Sequence, residues 1–430
     1  MSNSNNSGLL ILGGGIAGIS AGFHARERGV ESTVLEASPA PGGLTANFNV
    51  DGFRFDKAIH MSFTKDDYVR QIFEKTAHFK HRPDAYCLEK KEWMKHPIQN
   101  NLYPLKNNEK IKLIESFINR PTKTPKNYKE WLYFQYGEEF SNRYPIPYTH
   151  KYWGLDPQEL SLDWIGNRIR KAEFSEVLAG ALENKDENHY YADEMRYPKK
   201  GGYYEFIRDI ADSLNIECNK KVIKINTSDK VVHCSDGSSS NYNSLISSLP
   251  LPMICNLIDN CPENIMNAAK SLLWTTVDLV SIGFNKKSIS PYLWFYLYDK
   301  ENLAARGYSP SMKSPDNAPD GCSSLQFEIY NLSTKNRLNP DDLKKNILEN
   351  LLKMEICNKD DILFTHHKHL PYGNVVFDHS MEKRRKLILD YLSTQDIKSC
   401  GRFGEWAYLW SDQSFLSGKN ASDSVINNSE

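Results

Sequence analysis

Eight cysteines are scattered through 430 residues, and no two form a C-x-x-C pair. That spacing excludes a disulfide scaffold and a cysteine zinc site, and leaves reduced thiols. Charge of one sign is also missing. The formal net charge is -1, so neither nucleic acid nor an anionic membrane surface is expected as the main partner. Long apolar runs are absent. The stretch Gly8 to Leu12 is far too short to cross a bilayer, and Met1 to Ser7 lack the basic-then-apolar layout of a secretory leader. A cytoplasmic protein with no integral membrane association is expected. Internal repeats and low-complexity segments are lacking too. His366, His367 and His369 have no helical i, i+4 pairing and no clear partner set, so they are expected to be a surface or strand-end cluster, and no metal is expected. Lys383 to Lys386 read as a solvated helix face.

What remains is an ordinary globular composition, 40% hydrophobic and 25% charged, in a chain long enough for two interleaved domains. Aromatic residues reach 12%, which suits a pocket that stacks on rings. Gly8 to Leu12 reads as a buried strand, Ala17 to Arg28 as a helix, and Thr33 to Leu35 as a second strand ending at Glu36. This βαβ opening predicts an α/β fold with a parallel sheet. Phe63 to about Phe174 reads as an inserted, largely helical region. A helix is expected over Tyr203 to Leu214, and strands over Lys221 to Ile225, Lys230 to Cys234 and Ser244 to Ser248. Further strands are expected over Thr275 to Phe284 and Leu293 to Tyr298, with a loop over Pro310 to Gly321. Helices follow at Asp341 to Leu352 and Met381 to Tyr391, and the polar tail after Lys419 is expected to fray.

The chemistry is concentrated at the start. Gly13-Gly14-Gly15-Ile16-Ala17-Gly18 fits G-x-G-x-x-G between a strand and a helix. Gly13 permits the tight turn, Gly15 lets backbone approach a pyrophosphate, and Gly18 lets the helix pack closely on the sheet. The helix start offers free amide donors to phosphate. Glu36 stands eighteen residues after Gly18, where a carboxylate can accept both ribose hydroxyls. Pro41-Gly42-Gly43-Leu44-Thr45 follows at once.

That second glycine segment resembles a flavin fingerprint of the amine oxidase, protoporphyrinogen oxidase and UDP-galactopyranose mutase superfamily. The resemblance implies FAD. The family usually carries a basic residue two positions before the glycine pair, and Ala40 stands there. The resemblance to the mutases continues in patches over most of the chain. Asp56 to Thr64 looks like the segment that lays a histidine over the isoalloxazine, and His60 falls on it. Tyr148 to Gly154 looks like the stretch whose Trp-Gly lies near the nucleotide base, and implies Trp153. Lys221-Val222-Ile223 resembles the strand that meets adenine, and Ser247 to Pro250 the strand end that returns to FAD. Asn188 to Asp193, running into Gly201-Gly202-Tyr203, is similar to a mutase segment and implies Tyr190. Gly401 to Tyr408 resembles Gly-Arg-x-x-Glu-Tyr-x-Tyr, which implies Arg402 by the flavin ring and Tyr408 on substrate phosphate. Asp412, Gln413 and Gly418 resemble the helix start under the ribityl chain and pyrophosphate.

The implied cofactor set is Gly13, Gly15, Ile16, Ala17, Gly18, Glu36, Ala37, Gly42, Gly43, Leu44, His60, Val222, Ser248, Arg402, Asp412, Gln413 and Ser414. The implied substrate set is Trp153, Tyr190, Arg306, Tyr372 and Tyr408, and His60, Arg402 and Tyr408 are the catalytic candidates. The resemblance also implies an architecture. A Rossmann-type FAD-binding domain is built from 1–62, 201–255 and 395–425. A substrate domain, with helical insertion and mixed sheet, is built from 63–200 and 256–394. One departure bears on substrate. The mutases place a diphosphate-clamping arginine where Ser323-Ser324 align, and Arg306 upstream is either its substitute or a solvated surface arginine. In addition, Arg196 to Gly202 resembles the protoporphyrinogen oxidases better.

Two chemistries therefore stand open, with a third reading as a flavin-stabilised scaffold. One is a mutase-like rearrangement of a nucleotide sugar or related glycan precursor, in which N5 of reduced flavin is the nucleophile. The other is hydride transfer from substrate to flavin, as in the amine and protoporphyrinogen oxidases. The expected partner is a small molecule, a nucleotide sugar being one candidate. A homodimer is left open, and no nucleic acid is expected.

Overall fold

The computed structural model describes residues 5–166, 169, 171–184 and 192–427. Two seven-stranded sheets organise it. The first carries the N-terminus. Strand Asn5–Leu12 pairs in parallel with Ser32–Leu35 on one side and Ser239–Ser247 on the other. Asn215–Glu217 and Ile397–Ser399 extend the parallel sheet outward. An antiparallel hairpin, Val222–Asn226 and Val231–Cys234, completes it. Leu9 to Leu12 are almost fully buried because helices cover both faces of such a sheet.

Helix Ile16–Glu27 packs against the last helix, Ser411–Asn427. A Cβ on Gly418 would lie 2.1 Å from the Ala17 carbonyl oxygen, so the helices touch through backbone. Ser20 Oγ closes the contact by donating to the Phe415 carbonyl. The polar tail therefore stays helical as far as Asn427. Ala421, Ser422 and Ile426 are buried, and Ala421 and Ile426 join the apolar cluster of Leu9, Ile11 and Val34.

The second sheet runs in the order Ile362–Val375, Trp274–Phe284, Ser323–Leu332, Arg306–Tyr308, Trp294–Leu297, Ala85–Glu89, Glu92–Lys95. Its pairings are antiparallel except Trp294–Leu297 with Ala85–Glu89. The long strand Trp274–Phe284, next to the edge, alternates by the two-residue period. Val277 and Leu279 join the core shared with the helical region, while Val280, Ile282 and Phe284 pack with Leu343, Ile347 and Leu351 of helix Pro340–Lys353.

The inserted region opens with helix Asp67–Phe73 and is largely helical among its described residues from Asn107 to Leu182, but the stretch between is not. His78–His81, Ala85–Glu89 and Glu92–Lys95 are strands, and the last two form the edge of the large sheet. Short strands dense in aromatic residues do not reveal their period. The histidine cluster also differs from expectation. His367 and His369 lie mid-strand and both hydrogen-bond Oδ1 of the buried Asp278, at 2.8 and 2.9 Å. The basic run on helix Met381–Thr394 is engaged. Arg384 pairs with Asp378, and Arg385 donates to the Glu405 carbonyl. Pro310 to Gly321 holds two short helical turns and encloses Lys313, which is fully buried. All eight cysteines are free.

Candidate active site

The first strand ends at Leu12 and the chain turns through Gly13, whose φ is 96°. Gly13 donates its N–H to the Leu35 carbonyl at 2.8 Å. Ser248 Oγ donates to the Leu12 and Gly13 carbonyls at 3.0 and 3.1 Å, which ties the end of the third parallel strand to the turn. A Cβ on Gly18 would sit 1.9 Å from the Gly13 carbonyl oxygen, so Gly18 serves the fold. Gly15 differs. The nearest atom to a Cβ there is Gly43 Cα at 4.0 Å, so the space beside it is open.

Glu36 ends the second strand. Its carboxylate accepts from the N–H groups of Gly14 and Ser38, both at 2.7 Å. The second glycine segment lies directly on the first. Gly42 donates its N–H to the Gly14 carbonyl at 2.7 Å, with φ at 114°.

These glycines form one end of a cavity of about 900 Å³. Gly13, Gly15, Ile16, Ala17, Glu36, Gly42, Gly43, Leu44, His60, Ser248, Arg402 and Ser414 all line it, as do Trp153, Arg306, Tyr372 and Tyr408. Lys57 also lines it, a cation that the reading of Ala40 as a missing basic residue did not supply. Burial and Lys368 push its ammonium pKa down, while Glu36 pulls it up. Five expected residues do not line the cavity: Gly18, which packs its helix on the glycine turn, and four others. Val222 lies on the antiparallel hairpin, Ala37 is exposed, Asp412 sits in the first turn of the last helix, and Gln413 Oε1 accepts from the Trp410 N–H at 3.0 Å. Tyr190, with the segment around it, lies outside the described residues.

The far end of the cavity is aromatic, because helices Tyr128–Tyr136, Glu138–Arg143 and Pro145–Trp153 turn their rings inward. Tyr148 stacks on Tyr152 at 5.5 Å, and Trp153 meets Tyr408 at 5.5 Å. Tyr152 and Tyr408 share a hydroxyl hydrogen bond of 2.9 Å. The Arg402 guanidinium lies 4.6 Å from the Tyr408 ring centre, and that of Arg306 lies 5.5 Å from Tyr152.

Arg306 is no solvated surface residue. It pairs with the fully buried Glu328 and donates to Tyr330 Oη at 3.0 Å. The other Glu328 oxygen accepts the Ile59 N–H at 2.7 Å, next to His60. Burial holds the His60 and His96 imidazoles down at about 4, so both are neutral at physiological pH. Glu328, Tyr330, Tyr152 and Asn374 were missed from sequence. A signal existed for two of them: Gln326, Glu328 and Tyr330 are polar at period two inside an apolar strand.

Residues 16–375 match the model of the flavin-containing amine oxidoreductases. The chain belongs to that family. As a member it uses FAD, and the residues present fit the flavin. A backbone cradle stays open at Gly15, an acid stands beside it, and the buried Nε of Arg402 finds no acceptor among the described residues. The fold resembles that of reduced UDP-galactopyranose mutase, with a TM-score of 0.92 at 22% identity over 98% of this chain and 96% of that one. It also resembles putrescine oxidase bound to putrescine, with a TM-score of 0.67 at 13% identity over 99% and 100%. A carotenoid 3,4-desaturase of Haloarcula japonica is 33% identical over 91 residues, 21% of this chain. That match spans only 18% of the desaturase's own length. The superfamily read from the glycine segments and the α/β architecture are thus both borne out. No helix among the described residues is long and apolar enough to cross a membrane.

Proposed function

We propose that this flavoenzyme acts on a nucleotide sugar, rearranging it at reduced flavin as a pyranose–furanose mutase does. The carrying observation is the continuity of one cavity from the glycine cradle, past His60 and Arg402, to Trp153, Arg306 and Tyr408. The high overall likeness to a mutase fold supports the same reading. When bound, reduced FAD supplies a nucleophilic nitrogen, N5, at the isoalloxazine end.

The chain's own residues do the positioning. The 1–62, 201–255 and 395–425 segments hold the cofactor, with Glu36 on the ribose and the Gly15 backbone against pyrophosphate. Arg402 and neutral His60 would hold the flavin ring, Arg402 supplying a fixed positive charge for its reduced form. Trp153 stacks on the base, and Tyr408 and Tyr372 contact the substrate. The aromatic wall excludes water, which strengthens each polar contact inside.

A second reading, hydride transfer from an amine or other reduced carbon, is favoured by one observation. Glu328 offsets the charge of Arg306, which leaves less attraction for a diphosphate at that end. One experiment separates the two. Dithionite-reduced enzyme is incubated with UDP-galactose and UDP-glucose, and products are followed by chromatography. The mutase reading expects isomerisation without consumption of oxidant, and none by oxidised enzyme. Bleaching of oxidised enzyme by an amine, with peroxide released on reoxidation in air, would overturn it.

A further inference from the structure

Asn374 is 2% exposed and touches both halves of the cavity's polar lining from behind. Its Oδ1 accepts from Arg402 Nη2 at 2.7 Å and from the Tyr152 hydroxyl at 3.2 Å. A guanidinium can only donate, so Arg402 fixes which way the amide faces. The hydroxyl chain then has one consistent direction. Tyr152 gives its proton to Asn374, and Tyr408, 2.9 Å away, gives its own to Tyr152. The amide is itself held. The Asn374 N–H donates to Thr275 Oγ1 at 3.0 Å on the neighbouring strand Trp274–Phe284, which fixes its backbone. Asn374 Nδ2 has no acceptor among the described residues, so holding Oδ1 on these two donors leaves a buried donor unsatisfied.

We propose that Asn374 is a positioning residue that couples the flavin-side cation Arg402 to the substrate-side pair Tyr152–Tyr408. The inference rests on the reading of Arg402 as the flavin-side charge and Tyr408 as a substrate contact. Asn374 does not itself line the cavity. It aims the guanidinium and sets the proton direction of the tyrosine pair, and both effects pass through the single atom Oδ1.

Two variants of the FAD-loaded enzyme test it. Asn374→Leu removes the acceptor at nearly constant volume. Asn374→Asp keeps an acceptor for both donors and adds a negative charge beside Arg402. The readouts are the flavin midpoint potential and KM and kcat on the nucleotide sugar, with FAD content as the folding check. Asn374→Leu should raise KM about tenfold or more and lower the midpoint potential. Asn374→Asp should keep KM within about threefold of wild type while the potential falls, because the added charge disfavours reduced flavin. A potential and KM unchanged in Asn374→Leu would overturn the proposal, as would a KM in Asn374→Asp raised as far as in the leucine variant. If Asn374→Leu does not load FAD, the aspartate variant decides alone: an unmoved potential sinks the coupling. Wild-type enzyme inert toward nucleotide sugars sinks the substrate reading instead, and the potentials of the two variants still decide on Asn374.

Discussion

Gly42 donates its backbone N–H to the carbonyl oxygen of Gly14 across 2.7 Å. Two glycine segments that look like separate fingerprints in the sequence are therefore one structure. Each holds the other in place, and the open face they share lies beside Gly15.

Gly15 and Gly18 should separate when substituted. Gly15→Val has room within the protein, so the variant should fold and lose its yellow colour. Gly18→Val drives a side chain into the Gly13 carbonyl and should not fold. Absorbance near the flavin bands and circular dichroism read the two effects apart. A Gly15→Val protein that keeps full FAD would move the pyrophosphate elsewhere.

Glu36→Ala removes the acceptor of two backbone N–H groups as well as the proposed ribose contact. FAD affinity should fall by about 1.5–3 kcal/mol, with turnover at saturating FAD unchanged. Calorimetric titration of the apoprotein measures it. Equal affinity in the variant would show that the carboxylate serves only the Gly14 turn.

Asp56 and Lys313 form an ion pair with both side chains fully buried, and Asp56 also accepts from Tyr197 Oη at 2.7 Å and the Tyr203 N–H at 3.1 Å. Asp56→Asn strands a buried ammonium and should cost about 3–5 kcal/mol in urea unfolding. Adding Lys313→Met to that variant should recover part of the loss. Losses that simply add would show that the two groups do not act as a pair.

Acid should destabilise the protein through its neutral histidines. His60 and His96 titrate at about 4 when folded, against 6.5 for a free imidazole. Between those values the unfolded chain binds protons that the folded chain refuses. Stability is therefore whole above pH 6.5 and falls as pH drops toward 4, by about 1.4 kcal/mol per pH unit for each histidine. His96→Gln should flatten that slope in urea unfolding across the window. A slope that does not change would assign the acid sensitivity to other groups.

The parts legible in sequence were those with a local signature. Gly13 to Gly18, Glu36 and Gly42-Gly43 each announce a backbone shape, and the alternating run at Thr275 to Phe284 announces a strand. The substrate end was less legible because it is assembled from distant segments. Nothing near Asn374 says that it will meet Arg402 and Tyr152, and nothing near Arg306 says that Glu328 will stand beside it. The last helix was read at its start, from Asp412 to Gly418, but its continuation after Lys419 was misread because small polar residues look like a tail by composition. The helix they belong to lies so close to its neighbour that Gly418 meets Ala17 and Ser20.

That helix bears on how the protein is made. The sheet around the glycine turn takes a strand, Ile397–Ser399, and a covering helix, Ser411–Asn427, from the far end of the chain. A nascent polypeptide emerging from the ribosome has synthesised its cradle long before it can close it. Flavin capture must then wait until Ser411–Asn427 has been made, and a chain arrested before Ile397 would carry an open sheet edge, prone to aggregate, in place of a seat for the cofactor.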